Sequence, residues 1–307
     1  MTGAWRKLGL LYDPQREGRH PKLSTHAANP LPVQLDGDVY RVFYSGRDAA
    51  NRSSVGAVDI DIVARRIVHE HAEPFFEHGP AGSFHADGVS IGNCYRTPTG
   101  RYILFMGWLN PPDGHWRGEI GRLRVDDRLR LTLDGDGPFM PLDADDSVSL
   151  SYPWVLHDEP NARWRMWYGS TESWDSGNGE MVHVIKGAVS DDGDRWQRGG
   201  LAVPYALGEA QAFSRPTVAR DAAGWHMWFS YRSGAGESYR IGYAWSADGE
   251  GWTLRLQDTG IDVSDAGWDA EMIEYPFVLE HGGARYMFYN GNGYGRTGFG
   301  LAIQDAA

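Results

Sequence analysis

The sequence predicts an all-β fold: one five-bladed β-propeller spanning residues 1–307, with four-stranded antiparallel blades and the last blade closed by the N-terminal strand. Three observations predict it. A short word recurs five times, in "AANPLPVQL", "HADGVSIGN", "LSYPWVLH", "FSRPTVAR" and "IEYPFVLE". An aromatic-alternating strand follows each copy. Forty glycines supply the tight turns that many short strands need.

With Asn29, Asp87, Tyr152, Arg215 and Tyr275 as equivalent points, the repeats step by 58, 65, 63 and 60 residues. The first strand of each repeat is a short apolar run such as "PLPVQL" or "PFVLE". The second is "YRVFYSG", "YILFMGW", "WRMWYGS", "WHMWFSY" or "YMFYNG", a period-2 mix of aromatic and β-branched residues bounded by turns. The third carries a recurring glycine, in "SVGAVDID", "EIGRLRVD", "VIKGAVS", "RIGYAWS" and "GFGLAI". Fourth strands follow as "QRGGLAVPY" and "TLRLQDTGIDV". The last repeat ends at "GFGLAIQDAA" without one, and "WRKLGLLYDP" copies the Trp-x-x-x-Gly spacing of "WQRGGLAVP". Residues 5 to 14 are therefore expected to complete that sheet, since radial repetition protects strand edges by closing the circuit. No segment carries helical periodicity.

The pieces "SDDGDRW" and "SADGEGW" resemble a shortened sialidase Asp-box. Their Asp192 and Asp248 are read as turn residues whose carboxylates bond local amides, not as catalysts.

Composition narrows the function. A net charge of −12 opposes binding to a phosphate backbone, so no nucleic-acid partner is expected. No run of 18 apolar residues occurs, so no membrane span is expected. The single cysteine, Cys94, permits no intrachain disulfide, and no signal peptide is apparent. A cytoplasmic monomer or weak oligomer is the expectation.

In a propeller the first strands line a central channel, so the polar residues of the five words should converge at one mouth. Loops after the second strands should ring it with Arg47, Trp108, Glu172, Trp174, Arg232 and Asn290. Tyr and Trp faces suit sugar rings, whose C–H faces are apolar and whose hydroxyls need partners. Arg47 and Arg215 need an anionic partner, either a protein carboxylate or a substrate carboxylate or phosphate. Imidazoles are available at His26 and His85. His26, His85 and His183 form no zinc signature, and neither a metal nor another cofactor is expected.

The repeat pattern resembles the five-bladed propeller glycosidases: arabinanases, β-xylosidases, invertases and levansucrases. That resemblance implies a first-blade carboxylate before Pro as base or nucleophile, a second Asp as transition-state stabiliser and a Glu in a Glu-x-Pro setting as acid. Here the first position is Asn29, the second is Asp87 in "HADG", and the Glu-x-Pro slots of blades three and four hold Ser151 and Ser214. Only "EYP" of blade five keeps the carboxylate, as Glu274, with Glu271 three residues earlier on the rim.

The expected function is a glycosidase-like enzyme that cleaves or transfers a glycosidic bond of a carbohydrate or sugar-containing small molecule, with room for an anionic group. Asp87 is the expected stabiliser, and Glu274 the acid/base with His85 or His26 as its partner. Asn29, Tyr152 and Arg215 are expected to orient substrate. The alternative is a non-catalytic sugar-binding propeller, in which aromatics matter and carboxylates do not.

Overall fold

The computed structural model describes residues 3–234 and 236–304. Its strands run in chain order as β1 (Arg6–Tyr12), β2 (Thr25–Asp36), β3 (Val39–Arg47), β4 (Ser53–Asp61) and β5 (Arg66–Glu70), then β6 (Gly88–Thr97), β7 (Gly100–Leu109), β8 (Arg117–Val125) and β9 (Leu131–Leu133). β10 (Leu150–Asp158), β11 (Arg163–Ser173), β12 (Val182–Ser190) and β13 (Gln197–Leu201) follow. Next come β14 (Ala212–Asp221), β15 (Gly224–Arg232), β16 (Arg240–Ser246) and β17 (Trp252–Leu254), and finally β18 (Glu274–His281), β19 (Ala284–Asn290) and β20 (Phe299–Gln304). Helix among the described residues is confined to turns of three or four residues.

The strands pair as antiparallel meanders, β2-β3-β4-β5, β6-β7-β8-β9, β10-β11-β12-β13, β14-β15-β16-β17 and β18-β19-β20. Their first strands pack in sequence: β2 against β6, β6 against β10, β10 against β14, β14 against β18, and β18 back against β2. β1 lies antiparallel on β20, from Arg6 opposite Ile303 to Tyr12 opposite Phe299. Trp5 and Tyr12 at its two ends are buried, Trp5 edge-on to Trp228 with ring centroids 5.8 Å apart. The seam between last and first meanders has a second fastening. The Asn290 amide donates to the Ala27 carbonyl (2.8 Å) and accepts from the Asn29 amide (2.9 Å).

The recurring glycines answer to the aromatic strands. Gly56, Gly121, Gly187, Gly242 and Gly300 face Tyr44, Phe105, Trp167, Phe229 and Tyr289 across their ladders. A Cβ at Gly121 would stand 2.2 Å from the Phe105 ring, whereas one at Gly187 would meet nothing nearer than 4.0 Å. Gly121→Ala should therefore destabilise the fold by about 1–3 kcal/mol, the usual cost of overpacking, and Gly187→Ala should be tolerated. Comparison of the two denaturation midpoints checks this, and equal midpoints would refute the ring-over-glycine account.

The register corrects one sequence equivalence. Each first strand breaks its ladder to insert two residues: Asn29-Pro30, Gly92-Asn93, Tyr152-Pro153, Arg215-Pro216 and Tyr275-Pro276. Gly92 thus replaces Asp87 as the second repeat's equivalent point, and the steps become 63, 60, 63 and 60 residues. Asp87-Gly88 imitates the polar-then-small word, but it lies at the strand entrance. Gly92 is needed where it stands, since a Cβ there would lie 2.6 Å from the Leu104 carbonyl and 2.8 Å from that of Pro153. Asn93 takes the place of proline and bonds Val155 of the next meander through both ends of its amide. The carboxylates of "SDDGDRW" and "SADGEGW" close their own turns: Asp192 accepts from the Asp194 and Arg195 amides, and Asp248 from those of Glu250 and Gly251.

Candidate active site

The bulges bring together side chains from different meanders. Asn29, Tyr152, Arg215 and Tyr275 all hold left-handed backbone, with φ of 57°, 35°, 47° and 52°. Such conformations cost roughly 1–3 kcal/mol each for non-glycine residues and persist only where the surroundings impose them. The proline that forms the second residue of four of the five bulges suits a position that offers no ladder hydrogen bond. Tyr152 and Tyr275, from the third and last meanders, meet with ring centroids 5.3 Å apart and hydroxyls 3.3 Å apart. Arg215 donates from Nη2 to the Pro30 carbonyl (2.8 Å), spanning from the fourth meander to the first.

Above this pair opens a cavity of about 350 Å³, walled by the ends of second strands and the starts of third strands. Arg47, Trp108, Tyr152 and Arg232 of the sequence-predicted residues line it. Sequence reasoning missed Trp116, His183, Tyr239 and Tyr294, which also line it, and gave Tyr275 no binding role. Trp116, His183 and Tyr239 lie in or just before third strands. Their signal was the aromatic or imidazole flanking each third-strand word, in "HWRGEIG", "MVHVIKG" and "SYRIG". A larger groove of about 870 Å³ lies between the outer strands β5 and β9. Its carboxylates are already engaged: Asp126 with Arg130 and the amides of its own turn, Glu70 with Tyr12 and Arg16, and Glu73 with His20.

Glu274 is the unusual group. It is 0 % exposed, and neither carboxyl oxygen has a hydrogen-bond partner among the described residues. Burial pushes its carboxyl well above the ordinary range, while the positive charges of Arg47, Arg232 and Arg215 pull the other way. Glu274 directly precedes Tyr275, which lines the cavity, on β18, and its charge acts on the lining residues Tyr152, Tyr239 and Tyr275, so it lies next to the cavity wall. A buried carboxylate without partners costs several kcal/mol, and the neutral acid is the form this setting favours.

The arginines differ in how they are occupied. Arg232 grips Glu180, with Nη2 at 3.0 Å from one oxygen and Nε at 2.6 Å from the other, and lies over the Tyr239 ring. Glu180 is 3 % exposed and was absent from the sequence-predicted set. Arg47 donates to the Asn51 side chain (2.9 Å), and Arg215 is 2 % exposed with Nη1 unpartnered. Neither forms an ion pair with a carboxylate among the described residues.

Other predicted residues lie elsewhere. Asp87 is half-buried at the rim and accepts from the Asn110 amide (2.7 Å), which fixes the loop after Trp108. His85 sits in a cage of Phe76, Phe84 and Phe105 rings, and burial lowers its pKa, so it is not beside Glu274 as an acid/base partner. His26 is pushed down to about 4 by burial and by Arg47 and Arg296. Glu172 pairs with Lys186 in a network with buried Asp146, and Glu271 is exposed. Trp174 stacks on His115 and stands edge-on to Trp116, buttressing a wall residue. Asn290 spends its amide on the seam, and Asn29, 2 % exposed, has an unpartnered side-chain oxygen.

His183 forms a buried relay, its Nε2 at 2.6 Å from Ser151 Oγ and its Nδ1 at 2.7 Å from Thr171 Oγ1. Burial lowers its pKa to about 3, so it is neutral at physiological pH. Among the described residues, no group of three or more His, Cys, Asp or Glu side chains could hold a metal ion, and no helix is long and apolar enough to cross a membrane.

Among solved structures, the chain has the fold of glycoside hydrolases. One described as "Glycoside hydrolase" superposes with a TM-score of 0.75 at 14% identity, covering 100% of this chain and 94% of the other. A thermostable family-43 glycoside hydrolase gives 0.68 at 14% identity, covering 92% and 88%. A structure from work on the GH130 family of mannoside phosphorylases, which contains glycoside hydrolases that target β-1,2 mannosidic linkages in Candida mannan, gives 0.68 at 13% identity, covering 99% and 94%. The chain matches no family model. Two Mycobacterium tuberculosis proteins, "Uncharacterized protein MT1551" of strain CDC 1551 / Oshkosh and "Uncharacterized protein Rv1502" of strain ATCC 25618 / H37Rv, are each 42% identical over 302 residues. Those alignments cover 98% of this chain and 99% of each relative. At that identity along nearly the whole length of both partners, the chain belongs to the family of these two mycobacterial proteins.

Proposed function

We propose that the chain is a single five-bladed propeller domain whose cavity is the active site of a glycosidase-like enzyme, with Glu274 as the acid that protonates a glycosidic oxygen. The observation that carries this is the buried, partnerless carboxyl of Glu274 next to an aromatic-walled cavity. A scaffold gains nothing from such a group, whereas a general acid must stay protonated near neutral pH. Glycoside hydrolysis and transfer both need that proton as the leaving oxygen departs from an oxocarbenium-like centre. Trp108, Trp116 and the tyrosines offer faces for a sugar ring, and the proton passes from Glu274 through one water. Glu180, gripped by Arg232, is the second carboxyl group next to the cavity. Asp87 is reassigned from stabiliser to holding the rim. The hydrolase fold of the neighbours supports carbohydrate as the substrate class by analogy only.

A second reading, a sugar-binding propeller without chemistry, draws on one observation: the side chains that line the cavity include no carboxylate. The pH dependence separates the two. Turnover of an aryl glycoside should hold while Glu274 keeps its proton and fall about tenfold per pH unit above its raised pKa. Stability should follow the same group. The native state retains a proton that the unfolded chain begins to release near the ordinary value of 4.5. This contribution is therefore complete below about 4.5 and is lost as pH rises through the raised pKa, by up to about 1.4 kcal/mol per unit. Denaturant titrations across pH should show that slope in the wild type and a flatter one in Glu274→Gln. Identical slopes, with no turnover of any glycoside tried, would favour the binding module.

A further inference from the structure

We propose that the cavity binds an oxyanion, a carboxylate or phosphate group, seated by Arg47 and Arg215, and that the sugar substrate carries it or meets it there. This rests on reading the cavity as a sugar site. The charge count motivates it. The positive charges of three guanidiniums, Arg47, Arg232 and Arg215, all act on the Glu274 carboxyl. One of them, Arg232, is already neutralised by Glu180. The other two have only neutral partners: Arg47 the Asn51 side chain and Arg215 the Pro30 carbonyl.

Arg215 is 2 % exposed and has an unpartnered Nη1, the second observation that points to a ligand. A buried cation normally finds an anion, because leaving it unpaired costs several kcal/mol. Glu274 does not fill that role, since its oxygens form no hydrogen bond to any of the three guanidiniums. Arg47 lines the cavity itself, and Tyr152 and Tyr275, whose charges act on Arg215, form part of its wall. Guanidinium forks match the planar or tetrahedral oxygens of carboxylate and phosphate, and such paired bonds are the strong ones. In a protein of net charge −12, a seat of this sign selects for an anion locally and does not recruit one from afar.

The test is calorimetric titration of the full chain with inorganic phosphate, D-glucuronate and neutral D-glucose at fixed ionic strength. At least one of the two anions should bind ten-fold or more tightly than glucose, and Arg47→Gln should weaken it about ten-fold. Arg215→Lys, which keeps the charge but not the fork, should also weaken it, with thermal melting as the check on folding. Phosphate binding without glucuronate binding would identify the free ion as the source, and tighter glucuronate binding would identify a sugar-borne group. The proposal is overturned if neither anion binds better than glucose, or if Arg47→Gln leaves anion affinity unchanged. It is also overturned if anions bind only to Glu274→Gln, because the arginines would then serve an ionised Glu274. Turnover of neutral glycosides by the wild type, with no anion bound better than glucose, would remove the anion while leaving the sugar reading intact. Arginine-dependent anion binding without turnover of any glycoside would do the reverse.

Discussion

Glu274→Gln is expected to lower turnover by roughly 10²–10⁴-fold while leaving substrate affinity nearly unchanged. Glutamine keeps the volume and the neutral polarity of a protonated carboxyl but has no proton of suitable acidity to give. General acid catalysis is worth about that factor, so the loss should appear in kcat and not in KM. Because Glu274 is 0 % exposed and partnerless, the carboxamide exchanges one neutral buried group for another and should fold. At high pH it should even be the more stable protein, since it cannot ionise. A change in affinity with turnover intact would mean that Glu274 shapes the cavity without donating to the substrate. Full turnover would remove it from the chemistry.

Deleting residues 1 to 14 is expected to destabilise the protein by an amount comparable to its whole stability, about 5–15 kcal/mol. The deletion removes β1 and leaves β20 as an unpaired edge. It also removes Trp5, 6 % exposed, and Tyr12, 0 % exposed. Two buried aromatics of 150–250 Å² are each worth roughly 4–6 kcal/mol by area, an upper bound before the unfolded chain's own burial is subtracted. Tyr12 in addition donates to Glu70 (2.6 Å) on the first meander, so the strand ties the two ends of the circuit together. The expected product is aggregated or protease-sensitive. A truncated protein that melts at the wild-type temperature would show that the seam at Asn290 alone holds the ring.

The strands were legible because their signals are local. A ring over a glycine, a turn of Asp and Gly, and a proline after a bulge each leave a mark within a few residues. The second repeat misled because its bulge uses Gly92-Asn93, and a polar word that happens to precede the strand looks more like its siblings. The site was legible only in part for the same reason. Glu274, Arg47, Arg215, Arg232, Trp108 and Tyr152 stand on the repeating words or directly after them. Tyr239, Tyr294 and Trp116 reach the cavity, and Glu180 reaches Arg232 beside it, from the entrances of third strands and from a loop, where no repeat singles them out. His85 was misplaced because an imidazole two residues from a presumed site position looks catalytic, whereas three phenylalanine rings claim it. Asn290 was misplaced because the last second strand ends at a seam that no other repeat has.

The most direct test of Glu274 as the proton donor is the dependence of its loss on the leaving group. Turnover by wild type and Glu274→Gln should be compared on one sugar carrying a series of aglycones, from dinitrophenol to a simple alcohol. A departing dinitrophenolate needs little protonation, while an alkoxide needs it fully. If Glu274 is the acid, the variant should approach wild-type rates with dinitrophenyl glycosides and fall roughly 10²–10⁴-fold behind with alkyl glycosides. The same loss across the whole series would contradict the assignment and make Glu274 a structural or positioning residue.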